Sequence, residues 1–219
     1  MPFTKERGRT MNLRKFEKRS RYNCEMQNKA DNYTHLNKKH CKKGQIVLAG
    51  DSITDFYNNY ELFYEYTAKS GKAVYNRGIG GDTTNRLLER LESNVLCLEP
   101  EKVVYLIGTN DHAMGASDEY IIDNIKTIIE RTNKACPDCK IAVQSIYPVI
   151  DHRQRKNKDL KPINELIKKL CRETDVLYID LFDDLCDEKG SFNKAYTYDG
   201  LHPNVHGYEV ITKALLEFI

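Results

Sequence analysis

Five short apolar runs, separated by segments of helical periodicity, constrain the fold of this sequence more than any other feature. They lie at residues 45–49, 73–76, 103–107, 140–146 and 176–181. Runs of this length and composition suit strands that are buried on both faces of a parallel sheet. Because strands that alternate with helices are joined by right-handed crossovers, both faces of such a sheet are covered by helices. The sequence therefore predicts an α/β fold of three layers with a five-stranded parallel sheet.

Three of these runs end abruptly in loops of glycine and polar residues. The loops read Gly50-Asp51-Ser52, Gly78-Ile79-Gly80-Gly81-Asp82 and Gly108-Thr109-Asn110-Asp111. In an open parallel sheet, functional groups collect beyond the carboxyl ends of the strands, so we expect the three loops to share one edge. Taken alone, each loop is better explained as a turn or a helix cap. Ser52 becomes a candidate nucleophile only when a base and an oxyanion site accompany it.

Near the end of the chain, Asp199-Gly200-Leu201-His202 places a carboxylate and an imidazole three residues apart. A tight turn brings such residues together, so Asp199 can accept a hydrogen bond from Nδ1–H of His202 and leave Nε2 facing Ser52. A lone histidine in this position is more often structural. The adjacent carboxylate and the three upstream loops together favour a catalytic role.

The four blocks together resemble the SGNH hydrolases, also called the GDSL esterase/lipase family. The residues that give the family its name are matched by Ser52, Gly81, Asn110 and His202. Asp199 matches the family's aspartate three residues before the histidine. The resemblance runs from about residue 45 to the end of the sequence, and it departs from the family name at Ile53, where the name has leucine. The blocks look most like bacterial lysophospholipase-L1-like and platelet-activating-factor-acetylhydrolase-like members.

This resemblance implies the SGNH hydrolase fold, with a flavodoxin-like strand order, and a serine carboxylester hydrolase. It implies a catalytic triad of Ser52, His202 and Asp199. The oxyanion hole would consist of the backbone N–H groups of Ser52 and Gly81 and the side chain of Asn110. No metal or organic cofactor is required. The implied substrate is a small acyl ester, with acetyl favoured and with either a carbohydrate or a lipid-like alcohol. Two alternatives stay open, a catalytically silent binding module on the same fold and an acyltransferase.

The net charge of +2 conceals an uneven distribution along the chain. Residues 1–43 contain 13 Lys or Arg and four Asp or Glu, whereas the remaining residues contain 21 and 28. We therefore expect a basic N-terminal extension at 1–43, helical and docked on an acidic hydrolase domain at 44–219. Because acidic residues are interleaved in the extension and no nucleic-acid motif is present, docking is favoured over nucleic-acid binding.

Other classes of protein and of site are disfavoured by composition and spacing. No run of 18 apolar residues could span a bilayer, and the start of the sequence lacks the apolar core of a secretory signal, so we expect a cytoplasmic protein. Seven scattered cysteines favour free thiols, and Cys136-Pro137-Asp138-Cys139 is interpreted as a turn rather than a redox or metal site. The oligomeric state does not follow from the sequence.

Three local predictions complete the sequence-based description. An aromatic segment over about residues 55–68 is expected to be helical, and Pro162 is expected to open a helix. His152 is the rival candidate for the catalytic base. It lies in a polar loop at about residues 149–159 that is expected to overhang the site, and it lacks a carboxylate at a spacing that would orient it.

Overall fold

A computed structural model describes residues 24–150 and 154–219 of the 219-residue chain. Its strands are β1 (Ile46–Gly50), β2 (Val74–Gly78), β3 (Lys102–Leu106), β4 (Lys140–Gln144) and β5 (Leu177–Ile179). Its helices are α1 (Cys24–Lys39), α2 (Ser52–Asp55), α3 (Asn59–Leu62), α4 (Tyr64–Ser70), α5 (Thr84–Asn94), α6 (Thr109–Met114), α7 (Asp118–Ala135), α8 (Asn157–Glu173) and α9 (Val205–Phe218). A short 3-10 helix, Leu96–Leu98, follows α5.

The five strands form one parallel sheet in the order β2-β1-β3-β4-β5, which is the predicted flavodoxin-like order. From β1, the chain first adds β2 on one side of β1 and then adds β3, β4 and β5 in turn on the other side. The strand order therefore reverses between β1 and β3. Ligands of open α/β sheets bind beyond the carboxyl ends of the strands at such a reversal. Ser52 follows β1 and Asn110 follows β3, so the fold brings both to this place.

Alternate residues of the central strands enter two separate cores, one on each face of the sheet. In β1, Val47 and Ala49 pack on one face and Leu48 on the other, as the two-residue period of a strand requires. Helices α5, α7 and α8 cover the first face, and α9 with the α2–α4 segment covers the second. The prediction of three layers with a central parallel sheet is confirmed.

Helix α1, part of the predicted helical extension, lies against α5 and the edge strand β2. The buried side chain of Asn37 donates hydrogen bonds to the carbonyl oxygens of Ser93 and Asn94, at 3.1 and 2.9 Å, and its Oδ1 accepts two from the Arg77 guanidinium. The Tyr33 hydroxyl donates to the Gly78 carbonyl at 2.9 Å. An N-terminal helix is therefore present. The prediction for residues 1–23 lies outside the described residues, and the boundary at 43/44 stays a prediction.

The segment over residues 55–68 is helical over most of its length, as predicted, but three short helices, α2, α3 and α4, divide it. The Asn76 side chain donates to the carbonyl oxygens of Thr54 and Tyr57, at 2.6 and 3.1 Å. A continuous helix would use these carbonyls for its own hydrogen bonds. A side chain from β2 satisfies them instead, so the helix ends after Asp55 without leaving polar groups unpaired.

The prediction that Pro162 opens a helix is wrong, since α8 starts five residues earlier at Asn157 and contains Pro162. The Asn157 side chain holds the start of α8 in place, with Oδ1 accepting from Val149 N–H at 2.8 Å and Nδ2 donating to the Val149 carbonyl at 3.1 Å. Tertiary contacts therefore set the helix start, even though proline removes one backbone donor further along.

In the described ranges, no helix is both long enough and apolar enough to cross a membrane. Cys136 and Cys139 are buried free thiols in the turn between α7 and β4, where Cys139 N–H donates to the Cys136 carbonyl at 3.0 Å. Burial raises the pKa of both thiols, that of Cys139 to about 12. The interpretation of this motif as a turn is confirmed.

Candidate active site at the carboxyl edge of the sheet

Ser52 is the first residue of α2 and follows directly on the end of β1. The side chain of Asp51 caps this helix by accepting a hydrogen bond from Ile53 N–H at 3.0 Å. A Cβ at Gly50 would lie 2.2 Å from the Leu106 carbonyl oxygen, so only glycine fits where β1 passes β3. Since the first N–H groups of a helix have no partner within it, the Ser52 N–H is free to face a substrate oxygen.

The loop before α9 holds His202 in one orientation through a single carboxylate. Oδ1 of Asp199 accepts from the backbone N–H groups of Leu201 and His202, at 2.9 and 2.7 Å, while Oδ2 lies 2.6 Å from Nδ1 of the imidazole. Thr197 fastens the other side of the loop, because its hydroxyl donates to the His202 carbonyl at 2.7 Å. The carboxylate thus shapes the turn and orients the ring at the same time.

The imidazole spans the distance to Ser52, with Nε2 2.9 Å from the serine Oγ. Because Nδ1 faces a carboxylate, Nδ1 carries the proton of the neutral ring and Nε2 is left to accept the serine proton. Burial acts to raise the pKa of Asp199, but hydrogen bonds from the backbone and ring of His202 and from Leu201 N–H outweigh it and lower the pKa. Asp199 therefore stays ionised beside the imidazole.

Gly81 lies in the loop after β2, which passes close to Ser52. An ideal Cβ at the neighbouring Gly80 would lie 4.0 Å from the Ser52 Cβ. Gly81 has a φ of +79°, and a Cβ there would lie 2.6 Å from Cε of Met26 in α1. Glycine is thus required by its left-handed backbone, and Met26 already occupies the space that a side chain would take. Within residues 24–150 and 154–219, the Gly81 N–H donates no hydrogen bond.

Asn110, in the first turn of α6, has a fixed side-chain amide. Its Nδ2 donates to the carbonyl oxygen of Asp82 at 2.9 Å, which ties the loop after β3 to the loop after β2. Its Oδ1 accepts from Nη2 of Arg155 at 2.7 Å. An amide nitrogen carries two hydrogens, so one remains for a further acceptor.

Three aspartates of the loops are fully buried behind these groups. Asp82 forms a buried ion pair with Arg90, whose Nη2 also donates to the Gly50 carbonyl at 3.1 Å. Asp111 accepts from the Thr84 N–H and hydroxyl, at 3.0 and 2.6 Å. Burial raises the pKa of Asp51 and that of Asp111 to about 7, even though hydrogen bonds from Ile53 and Thr84 act to lower them. These contacts fix the three loops relative to one another.

Comparisons with known proteins identify the family of this chain. The sequence model of the GDSL-like Lipase/Acylhydrolase family matches residues 48–210. The chain belongs to this family. It is 30% identical to subunit alpha1 of platelet-activating factor acetylhydrolase IB from Rattus norvegicus over 176 residues, which cover 80% of this chain and 74% of that protein.

Solved structures of similar proteins extend the comparison to the fold. A Streptococcus pneumonia protein described as a platelet activating factor superposes with a TM-score of 0.81 at 29% identity, covering 94% of this chain and 95% of its own. A GDSL-like lipase from Bacteroides thetaiotaomicron superposes with a TM-score of 0.74 at 22% identity, covering 86% and 96%, and shares the fold. Like other SGNH hydrolases, the protein is a carboxylic ester hydrolase that acts on small-molecule esters.

The structure thus brings the predicted residues together. Ser52, His202 and Asp199 form one chain of hydrogen bonds. Gly81 and Asn110 are linked through Asp82, which follows Gly81 and accepts from the Asn110 amide. Their catalytic roles stay predictions. The rival base, His152, lies outside the described residues. Among those residues, no group of three or more His, Cys, Asp or Glu side chains could hold a metal ion.

Sequence reasoning gave no individual role to three neighbours of the site. Phe56 and Tyr198, both exposed, flank the His202 ring with centroid separations of 5.2 and 5.9 Å. Arg155 lies in the loop that was expected to overhang the site, yet its side chain is buried against Thr109 and Asn110. The adjacency of Tyr198 to Asp199 was visible in the sequence, but no local pattern links Arg155 to Asn110.

Proposed function

We propose that this protein hydrolyses short-chain acyl esters, acetyl esters above all, with Ser52 as nucleophile. His202 removes the Ser52 proton while Oγ attacks the ester carbonyl, giving a tetrahedral oxyanion. The imidazolium then protonates the leaving alcohol as the ester C–O bond breaks, which leaves an acyl-serine. Water activated by His202 attacks the acyl-serine and releases the acid and free Ser52. Asp199 holds the imidazole and stabilises its charged form.

The oxyanion in this proposal is stabilised by the backbone N–H groups of Ser52 and Gly81 and by the second Nδ2 hydrogen of Asn110. The Gly81 N–H and this Asn110 hydrogen have no acceptor in the described parts of the chain, and the Ser52 N–H starts a helix. Donors that are fixed before the reaction cost no reorganisation when charge develops. The buried aspartates and ion pair behind the loops support such fixed positions.

One observation carries this proposal, the continuous pair of contacts from Ser52 Oγ to His202 Nε2 at 2.9 Å and from His202 Nδ1 to Asp199 Oδ2 at 2.6 Å. The preference for acetyl is supported by the similarity to an acetylhydrolase. Phe56 and Tyr198 flank the imidazole that protonates the alcohol, so we assign them to contact with the leaving group. Aromatic rings suit the apolar face of a sugar or the apolar part of a lipid-like alcohol. The cytoplasmic location stays a prediction.

The experiment is hydrolysis of p-nitrophenyl esters of increasing acyl length by the wild type and by Ser52→Ala. We expect a steep fall in kcat/KM beyond acetyl or butyryl, and loss of activity in Ser52→Ala. Fluorophosphonate labelling of the wild type but not of Ser52→Ala would support Ser52 as the nucleophile. Equal hydrolysis by the two proteins would remove Ser52 from the mechanism, and a folded wild type that is neither labelled nor active would indicate a binding module. Transesterified product with added alcohols would indicate acyl transfer.

A further inference from the structure

Arg155 donates a hydrogen bond to the side chain of Asn110. Its side chain is 6% exposed. Nε donates to the Thr109 carbonyl and hydroxyl oxygens, at 3.2 and 3.0 Å, and Nη2 donates to Oδ1 of Asn110 at 2.7 Å. The side chain is thus anchored on one residue of α6 while it contacts the next.

The direction of the Asn110 amide depends on this contact. The two ends of a side-chain amide have nearly the same shape, so neighbouring donors and acceptors determine which end points where. A guanidinium offers only donors and therefore requires Oδ1 on its side. The Asp82 carbonyl is only an acceptor, so it requires the Nδ2 end of the amide to face it. A flipped amide would set donor against donor at Arg155 and acceptor against acceptor at Asp82.

The charge of Arg155 reinforces this selection. Hydrogen bonds to a charged donor are stronger than neutral ones, and hydrogen bonds in series polarise one another. Withdrawal of electron density at Oδ1 makes the Nδ2 hydrogens better donors. Burial lowers the pKa of Arg155, and the nearby Asp51 carboxyl acts to raise it. The guanidinium stays charged, since arginine is effectively never deprotonated in proteins.

We propose that Arg155 is a positioning residue of the esterase, which holds the Asn110 amide with its N–H toward the oxyanion. This inference rests on the proposed function, because it assigns Asn110 to the oxyanion hole. In the described structure Arg155 hydrogen bonds to neither Ser52 nor His202, and its proposed effect on the oxyanion passes through Asn110. Its loss therefore weakens transition-state stabilisation while ground-state binding of the ester persists.

The test measures kcat and KM for p-nitrophenyl acetate in Arg155→Met and Arg155→Lys, each in the wild-type and the Asn110→Ala background. We expect Arg155→Met to lower kcat on the order of tenfold to a hundredfold, the scale of a misplaced catalytic group, with KM within about twofold. Arg155→Lys is expected to recover part of kcat, because an ammonium can donate to Oδ1 but cannot also reach Thr109 with the same geometry. In the Asn110→Ala background, neither substitution should lower kcat further.

The following outcomes would overturn this proposal. The first is an equal loss of kcat from Arg155→Met in both backgrounds, which would show that Arg155 does not act through Asn110. The second is a rise in KM at constant kcat, which would make Arg155 a substrate-binding residue. Should Arg155→Met fail to fold, Thr109→Val removes one anchor of the guanidinium, and unchanged kcat in both Thr109→Val and Arg155→Lys would contradict the proposal.

Matched controls separate this inference from the proposed function. Arg131→Gln removes a half-buried guanidinium that pairs with Glu92 between α5 and α7, and it should leave kcat unchanged. Full activity in Ser52→Ala would defeat the proposed function itself. Loss of activity in Ser52→Ala together with wild-type kcat in Arg155→Met would defeat only the role of Arg155.

Discussion

At the scale of single residues, the site depends on hydrogen bonds in which the donor and the acceptor cannot exchange roles. The Asp199 carboxylate uses one oxygen for two backbone N–H groups and the other for the His202 ring. The imidazole can then present only Nε2 to Ser52. An uncharged hydroxyl is a weak nucleophile, so this fixed route for its proton is what makes attack on an ester chemically accessible.

We expect Asn110→Ala to lower kcat on p-nitrophenyl esters by about 100- to 1000-fold, the usual cost of losing one oxyanion donor. Asn110→Ala also leaves the buried Arg155 guanidinium and the Asp82 carbonyl short of a partner, so we expect it to lower the free energy of unfolding by about 1–3 kcal/mol as well. Asn59→Ala is the matched control, since it removes another side-chain donor to a backbone carbonyl, that of Val74, at the opposite end of β2. Normal turnover in a well-folded Asn110→Ala protein would contradict the assignment.

The buried carboxyl of Asp51 makes stability depend on pH in a definite direction. Its pKa is about 7 in the folded protein, against 3.8 for an ordinary aspartate. Between about pH 4 and 7 the unfolded chain releases this proton and the folded chain keeps it. The contribution of Asp51 to the free energy of unfolding is therefore greatest below pH 4 and falls as the pH rises to 7. Above pH 7 it no longer changes.

Asp51→Asn removes this titration and keeps an oxygen that can cap α2. Relative to the wild type, we expect its free energy of unfolding to improve by up to about 4 kcal/mol between pH 4 and pH 7, since the pKa difference of about three units is worth about 1.4 kcal/mol per unit. Urea unfolding at a series of pH values measures the difference, with Asp138→Asn as the control for loss of an exposed aspartate. A difference between Asp51→Asn and wild type that stays constant across this range would show that Asp51 does not titrate there.

At the scale of elements, α1 is part of the scaffold around the loop after β2. Met26 fills the space beside Gly81, and Lys29 pairs with Asp55, whose Oδ2 accepts from Gly80 N–H at 2.8 Å. Asn37 ties the other end of α1 to α5 and β2. A polar helix with few apolar residues is thus held mainly by specific hydrogen bonds rather than by a broad apolar face.

Asn37→Ala is therefore expected to lower the free energy of unfolding by about 1–3 kcal/mol, because it leaves the buried Arg77 guanidinium and the Asn94 carbonyl short of partners. Chemical denaturation measures this loss. Lys38→Ala changes an exposed neighbour on the same helix and should have little effect. Equal losses of unfolding free energy in Asn37→Ala and Lys38→Ala would show that the hydrogen bonds of Asn37 do not hold α1 in place.

At the scale of the whole molecule, the parallel sheet turns distant sequence blocks into one site. Strands β1 and β3 are neighbours in the sheet although about 50 residues separate them, and α9 on the second face closes the site through the loop that carries His202. Both apolar cores consist of residues from Val47 onward, whereas the contacts of α1 are mostly polar. This division is consistent with the proposed boundary at 43/44.

Hydrogen exchange on the full chain tests that boundary. We expect the backbone amides of α1 to be protected, but to exchange through an opening of lower free energy than that of β1 and β3, because α1 lies outside both cores. Asn37→Ala should speed exchange in α1 and leave β3 unchanged. Equal acceleration of α1 and β3 would show that both open as one unit and would contradict a separate docked extension.

The sequence alone was sufficient for the elements whose signals are local. Apolar runs such as 103–107 specify strands, and the i, i+3 spacing of Asp199 and His202 specifies their contact. These features depend on neighbours within a few residues, so a pattern in the sequence reveals them. The alternation of strands with helices then fixes the parallel sheet, and the sheet fixes which loops share an edge.

Tertiary structure decided the features that depend on side chains far apart in sequence. Asn76 ends a helix about 20 residues before it, Asn157 starts α8 ahead of Pro162, and Arg155 selects the direction of the Asn110 amide. In each case a polar side chain satisfies backbone or amide groups of another element. A local sequence pattern gives no sign of such pairings. They are nevertheless required, because a buried polar group must find a partner in the folded chain.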